Sequence, residues 1–400
     1  MTFDLFHRDP CLPGVDDPYT TYAQLRDQSS IHWCSGPRMW VILGYAEAVE
    51  QMRSKLYSRQ LYLDSLIARF AEKSHIYQHQ RLDIPFMDGD IHNKMRMHVS
   101  NAYRSIDLDK LFAFSKAFAA ERLGSVDSRQ TFDLVNILAN DLPIAVVSEL
   151  LGLPASQQKA VAHHVSSFVR ARGLTQTDDI AVEGEEAFDV YSHYFMPLIQ
   201  ARRTQPKDDL ISQLIGDSQA GIRLSDEQLL LIISSNFYSA SLYTIRLLVG
   251  TLAWAMACNP DCYRRIRSDR ELIPNAIEET LRWDPPAQAV NGSVALEDHQ
   301  INGTTIRAGE AVTVLVGAAN RDPAIFDQPD HFCINRAHNP HLSFAPGIHQ
   351  CLGLHMARLE ARAVLEVLCD QFEQIKWVPE MSKRLIGDRF RGFECLVLQS

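Results

Sequence analysis

The 400-residue sequence is short of several features that would classify it quickly. It has no CxxC pair: its eight cysteines stand apart at 11, 34, 258, 262, 333, 351, 369 and 395. In a reducing compartment such thiols act mostly as small core hydrophobes, so the question is whether one of them differs. Positive charge is not in surplus either. Lys and Arg number 39 against 49 Asp and Glu, a net charge of −10, which argues against a general nucleic-acid binder. There is no internal repeat, low-complexity tract or long linker. Met1–Gly14 is polar and broken by Pro10 and Pro13, with neither a charged-then-apolar leader nor a run of about 20 apolar residues. The expectation is a cytoplasmic protein with no membrane partner. What remains is 46% apolar and 22% charged residues, an ordinary globular balance that excludes a disordered chain, a collagen-like fibre and a small disulfide scaffold. A chain this long can bury a large core and enclose a cofactor-sized cavity.

The patterning predicts a helix-rich body with a smaller β region (α+β), read as a single domain over 1–400. His32–Cys34 and Met39–Leu43 flank a Ser35-Gly36-Pro37 turn and predict a hairpin. From about Ala46 to Pro286 the period is mainly helical. Leu134, Leu138, Leu142 and Ala145 recur at helical spacing until Gly152 and Pro154. Ser225-Asp226-Glu227-Gln228 is a capping box opening a long apolar helix over 226–258, stopped at Asn259-Pro260. His299–Ile301 and Thr304–Ile306 bracket Asn302-Gly303, a strong hairpin signal. A strand over Ala311–Val316, a helix over Leu352–Phe372 and a strand over Phe393–Leu398 complete the chain.

Chemistry concentrates in Phe344-Ala345-Pro346-Gly347-Ile348-His349-Gln350-Cys351-Leu352-Gly353. A Pro-Gly turn precedes a lone cysteine, and a helix is expected to begin there. The free N–H groups and partial positive charge of a helix start favour thiolate over thiol. Gly347 permits close backbone approach, and Gly353 leaves room for a flat ligand. A thiolate beside a planar group points to haem iron. A buried structural cysteine, or a metal site of His349, Cys351 and His355, stays open on these residues alone. Upstream, Glu279 and Arg282 share one face of a helix over Leu272–Trp283. Gly317–Pro323 and Phe326-x-x-Pro329-Asp330-x-Phe332-x-x-x-Arg336 follow.

The F-x-x-G-x-H-x-C-x-G loop together with E-x-x-R closely resembles the haem-thiolate monooxygenases, the cytochrome P-450 superfamily, in its soluble bacterial form. Trp40-Val41, Leu150–Pro154 and Asp209-Leu210-Ile211 fall in the family's order, so the resemblance covers almost the whole chain. It implies the cytochrome P-450 fold around haem b (iron protoporphyrin IX). It implies Cys351 as axial thiolate, and Glu279, Arg282 and Arg336 as a buried structural cluster. His92 and Arg96 match the family's H-x-x-x-R helix, which with His349 serves the haem propionates. Phe344, Gly353 and Ala240 are implied as further cofactor neighbours. Two buried carboxylates do require cationic or hydrogen-bonding partners.

Three departures from the family pattern carry information. The oxygen-activating motif, small-Gly-x-acid-Thr, reads Ala240-Ser241-Leu242-Tyr243-Thr244. The alcohol Thr244 is kept, Ser241 stands for glycine and Tyr243 for the acid. Dioxygen activation consumes protons, which a carboxylate exchanges readily near neutral pH and a phenol of pKa about 10 does not. Tyr243 either orients water or substrate through its hydroxyl or simply fills the pocket. In the strand after the E-x-x-R helix the family's propionate-binding Arg is replaced by Ser293, so another group must compensate or haem is held more weakly. Ala345 replaces a glycine, a tolerable change if its φ is negative. Arg246 is expected to point away from the iron and to pair with a neighbouring helix.

The leading expectation is an oxidoreductase of specialised metabolism. It oxidises a mostly apolar small-molecule substrate with dioxygen and electrons from a ferredoxin, itself reduced by an NAD(P)H-dependent ferredoxin reductase. Arg358 and Arg362 are candidates for the docking patch. Two alternatives are dioxygen-independent haem chemistry on a pre-activated substrate (nitrene-type transfer, rearrangement, isomerisation or dehydration) and a non-catalytic haem sensor. Phe168, Leu242 and Val290, with Ser235, Asn236, Gln288, Asn291 and the loop near Phe393, are the expected substrate contacts.

Overall fold

The computed structural model describes residues 17–127, 130–154, 158–216, 221, 223–385 and 389–400. The Met1–Gly14 segment and Cys11 lie outside the described residues. Helices dominate up to Pro286 as the periodicity predicts. The hairpin Ile31–Cys34/Met39–Ile42 pairs antiparallel, with Ile31 opposite Ile42. It continues into a five-stranded sheet. Ile31–Cys34, Met39–Ile42, Ala311–Val314, Ser293–Ala295 and Tyr57–Ser58 lie side by side in that order. The Asn302-Gly303 turn has φ of 44° and 74°, the two left-handed residues that a tight hairpin demands. Val397–Gln399 lies between Thr131–Asp133 and Lys376–Trp377, so the C-terminal strand segment is split into two short strands, the first being Phe393–Cys395.

The capping box at Ser225 forms as its residues require: the Gln228 N–H donates to Ser225 Oγ (3.2 Å) and Ser225 N–H to Gln228 Oε1 (2.9 Å). The long helix it opens is not uniform. Asp226–Leu231 is α-helical, Ile232–Ser239 widens to a π-helix, and α-helix resumes over Ala240–Cys258. Ser239 Oγ donates back to the Ser234 carbonyl at 2.7 Å, five residues earlier, tying off the wide turn. An apolar period cannot report such an insertion, because the same residues stay buried on either side of it. Among the described residues Asp226–Cys258 is the one helix long and apolar enough to cross a membrane; 67% of its most apolar stretch is buried within the fold.

The E-x-x-R pair forms the centre of a second packed region. Glu279 and Arg282 are fully buried on the helix Ile273–Trp283. Arg282 donates from Nε to Glu279 Oε2 and from Nη2 to Oε1, each at 2.8 Å. Arg336 Nε lies 3.1 Å from both oxygens, and the Cys333 N–H reaches Oε1 at 2.7 Å. Arg282 also donates to the Asn320 carbonyl (3.1 Å), and the Asn320 side chain in turn holds Leu342 N–H (2.7 Å) and Ser343 Oγ (2.8 Å). The buried carboxylate therefore compensates two guanidinium groups and anchors the approach to the cysteine loop. Glu279→Ala leaves the Arg282 charge buried without a counter-ion, a change that costs on the order of 3–5 kcal/mol. We expect a sharply lowered thermal midpoint in calorimetry; an unshifted midpoint contradicts the anchoring role.

Candidate active site

The helix Ala240–Cys258, the π-helical turn before it and the cysteine loop enclose a cavity of about 320 Å³. The loop is closed by the Cys351 N–H donating to the Phe344 carbonyl at 2.8 Å and the Gln350 N–H to the Gly347 carbonyl at 3.1 Å. Gly347 has φ of +87°, and a Cβ there would sit 2.5 Å from the Met52 carbonyl oxygen, so both conformation and space require glycine. A Cβ on Gly353 would come no nearer than 3.8 Å to the Tyr103 hydroxyl, so the cavity wall at Gly353 is open. Ala345 departs from expectation: its φ is +50°, in the left-handed region that costs an L-residue about 1–2 kcal/mol.

Cys351 faces the cavity, which accounts for its exposure. The helix after it begins at Leu354, two residues later than the predicted start at Leu352 and three beyond Cys351 itself. Burial raises the thiol pKa, outweighing the Gly353 N–H bond and the charges of Arg96 and Arg358, which lower it. The protein alone thus does not impose the thiolate that a helix start was expected to favour. Among the described residues no His/Cys/Asp/Glu group could hold a metal, so His349, Cys351 and His355 are not gathered as one.

His92 and Arg96 lie one turn apart on the helix Gly89–Arg104. Arg96 lines the cavity and donates to the Gln350 carbonyl. His349 also lines it, and the His92 ring packs behind, with centroids 4.4 Å apart. Burial, then the charges of Arg59, His92 and Arg96, push the His349 pKa down to about 2, so it is neutral. His92 is fully buried and its Nε2 has no hydrogen-bond partner among the described residues. Ser293 is not a cavity residue. It is buried in its strand and its Oγ accepts from Gln51 Nε2 at 2.9 Å, so this hydroxyl is engaged within the fold.

On the opposite wall Ala240, Ser241, Tyr243 and Thr244 all line the cavity. Thr244 Oγ1 donates to the Ala240 carbonyl at 2.7 Å. Tyr243 packs edge-on against Phe390, centroids 5.0 Å apart. Arg246 points away as expected, but its partner is the neutral Asn140 Oδ1, 2.7 Å from Nε, and not an ion. Phe168, Val290, Ser235, Asn236 and Asn291 line the cavity as expected. Leu242 and Gln288 do not; Gln288 is buried against the Tyr19 hydroxyl and the Pro285 carbonyl. Phe393 itself belongs to the core, and the loop near it reaches the wall through Arg389 and Phe390, as expected. The presumed docking arginines are also engaged. Arg358 holds Glu278 through two bonds of 2.6 and 2.7 Å, and Arg362 pairs with Glu366 at 2.8 Å. Burial opposes ionisation of Glu278, yet the bonds from Arg358 and His341 hold its pKa down to about 2.

Sequence reasoning missed Arg59, Arg389 and Glu360. Arg59 and Arg389 bring positive charge to the wall. Glu360 is the only carboxyl side chain in the cavity wall among the described residues; it is fully buried and neither oxygen has a hydrogen-bond partner. Burial pushes its pKa up to about 8. A signal existed: Glu360 interrupts the apolar face formed by Met356, Ala357, Ala361 and Val364.

A largely apolar cavity with one thiol in its wall, a cationic edge and an orphaned imidazole nitrogen suits an amphipathic planar cofactor bearing carboxylates. Haem fits this donor set, and the arrangement is that of the haem-thiolate oxidoreductases. The cytochrome P450 family model matches residues 185–389. The chain is 30% identical over 393 residues to putative cytochrome P450 126 of Mycobacterium tuberculosis, covering 96% of this chain and 94% of that one. It is 30% identical over 363 residues to the cytochrome P450 monooxygenase PikC of Streptomyces venezuelae, covering 89% and 84%. The solved structure of P450BioI in complex with hexadec-9Z-enoic acid ligated acyl carrier protein superposes with a TM-score of 0.89 at 27% identity, over 97% of this chain and 100% of that one. The chain belongs to the cytochrome P450 superfamily, and its cofactor is haem b carried on a cysteine thiolate.

Two expectations follow from this geometry. Ala345→Gly removes left-handed strain while adding the chain entropy of glycine, for a net gain of about 0.5–1 kcal/mol. Its thermal midpoint should rise; a fall would contradict the positive φ. Glu360 keeps its proton up to about 8 in the fold, whereas an ordinary glutamate releases it near 4.5. The folded chain therefore binds more protons between those values, and stability falls as pH rises through that window. Glu360→Gln should lose this slope in unfolding measured across that pH range; parallel profiles would contradict it.

Proposed function

We propose that this enzyme, acting as one domain, oxidises a small, mostly apolar molecule bound between Phe168, Val290 and Phe390. Cys351 would hold the haem iron through its sulfur, with dioxygen as co-substrate and a ferredoxin as the source of electrons. The observation that carries the reading is the cavity itself, with the Cys351 thiol in one wall and Thr244 in another. Bound there, haem b supplies oxidising chemistry through its iron. The chain does the rest. Phe168, Val290 and Phe390 exclude water and hold the substrate's apolar surface. Ser235 and Asn236 both donate to Asp83, at 2.7 and 2.8 Å, and Arg172 pairs with the same carboxylate at 2.6 Å. That network fixes the polar side of the pocket, so orientation comes from a preorganised wall. The Thr244 hydroxyl, bonded to the Ala240 carbonyl, is placed to relay a proton at Oγ1 once that bond opens. Glu279, Arg282 and Arg336 hold the cysteine loop from behind, as positioning residues. His92, Arg96 and His349 serve the carboxylate edge of the cofactor. Placement in specialised metabolism and in the cytoplasm belongs to the same proposal, supported by the likeness to bacterial relatives such as PikC.

A second reading is favoured by one observation: among the described residues no ionised carboxylate lines the cavity beside Thr244, since Tyr243 packs on Phe390 and burial keeps Glu360 protonated. Chemistry on a substrate that already carries an activated N–O or O–O bond needs no proton relay for dioxygen. Turnover under ¹⁸O₂ separates the two. The leading reading predicts label in product or water, strict dependence on a reductant, and a changed ratio of product to electrons consumed in Tyr243→Glu. Turnover under argon without any electron donor would overturn it in favour of the second.

A further inference from the structure

The end of one strand pair places a cation close to Ser293. Tyr57–Ser58 pairs antiparallel with Ser293–Ala295, with Tyr57 opposite Ala295 and Ser58 opposite Val294. The pairing stops at Ser58, and the helix Arg59–Phe70 begins at the next residue, so Arg59 leaves the sheet beside the strand that carries Ser293. A cation at the start of that helix therefore comes from the chain segment next to Ser293. Arg59 lines the cavity where Ser293 does not.

The surroundings of Arg59 call for an anion. Its guanidinium makes one long contact, 3.5 Å to the Pro85 carbonyl, and no carboxylate lies within ion-pair distance among the described residues. The nearest acid, Asp88, is spent on the start of the helix Arg59–Phe70: it accepts from Ser58 Oγ (2.5 Å), from the Arg59 backbone N–H (3.3 Å) and from the Gln60 N–H (3.1 Å). Burial and the charge of Arg389, with a smaller push from Arg96, bring the Arg59 pKa down to about 9, and the charge of Asp88 offsets this only in part. The charges of Arg59 and Arg96 also act on His349, whose ring neighbour His92 has the orphaned Nε2.

We propose that Arg59 takes over the duty vacated at Ser293 and holds a propionate carboxylate of the bound haem, beside Arg96 and His349. The pairing is ionic and hydrogen-bonded, and no bond is made or broken. It rests on the haem-thiolate reading above and assigns this chain a propionate ligand outside the motifs that the resemblance supplies.

The test is haem release from the purified holoenzyme to excess apomyoglobin, with resonance Raman spectra of the propionate bending modes as a second readout. Losing one charge-assisted hydrogen-bonded pair should make Arg59→Leu release haem about ten- to a hundredfold faster. Arg59→Lys should recover part of the retention, and Ser293→Arg placed in the Arg59→Leu background should recover more, each with the propionate mode moved back toward wild type. Release from Arg59→Leu at the wild-type rate overturns the proposal. So does faster release with an unmoved propionate mode and no rescue by either cation, which marks Arg59 as a packing residue only. Wild-type protein unable to hold haem at all would instead overturn the reading on which the proposal rests.

Discussion

One sulfur atom must face a water-poor cavity at a fixed height, and most of the described structure serves that constraint. The cysteine loop is short and is closed on itself by two backbone hydrogen bonds. It cannot set its own position relative to the helix Ala240–Cys258 across the cavity. The buried Glu279–Arg282–Arg336 cluster supplies that reference, passing through Asn320 to Leu342 and Ser343 at the loop's entry. Burying this much charge is tolerable only because the Glu279 carboxylate is saturated by donors. Removal of any one partner unbalances the rest, which is why such a cluster specifies one loop geometry.

Charge around the cavity is arranged asymmetrically. The edge near His92 carries Arg59, Arg96 and a neutral His349, while the distal wall carries Tyr243 and Thr244 and, among the described residues, no ionised acid. The cationic edge matches carboxylates on a cofactor; the neutral wall matches an apolar substrate and leaves proton supply to hydroxyls and water. Glu360 is the exception. Held protonated by burial, it places a neutral acid at the cavity without adding charge. The π-helical stretch Ile232–Ser239 belongs to the same economy, since it turns Ser235, Asn236 and Ser239 toward the pocket without interrupting the apolar packing of the helix.

Much of this was legible from residue order. Short-range signals survived intact: the Asn302-Gly303 hairpin, the Ser225 capping box, the Glu279/Arg282 pair and the cysteine loop each depend on neighbours within a few positions. Failures had one cause, dependence on distant contacts. Ala345 adopts a positive φ because the loop must fold back from Leu342 to Cys351, which no local pattern records. Gln288 was drawn away by Tyr19, 269 residues distant in the chain. Arg358 looks free in sequence but meets Glu278, 80 residues away in the chain. Arg59 was invisible because its place beside the strand of Ser293 depends on segments far apart in the chain.

The claim beneath all of this is that the Cys351 sulfur is the protein's bond to iron. The most direct measurement is the absorption spectrum of the ferrous–carbon monoxide complex of the wild-type holoenzyme and of Cys351→Ser. The account predicts the red-shifted thiolate band in the wild type and its complete loss in the variant. Persistence of that band without the Cys351 thiol would contradict it.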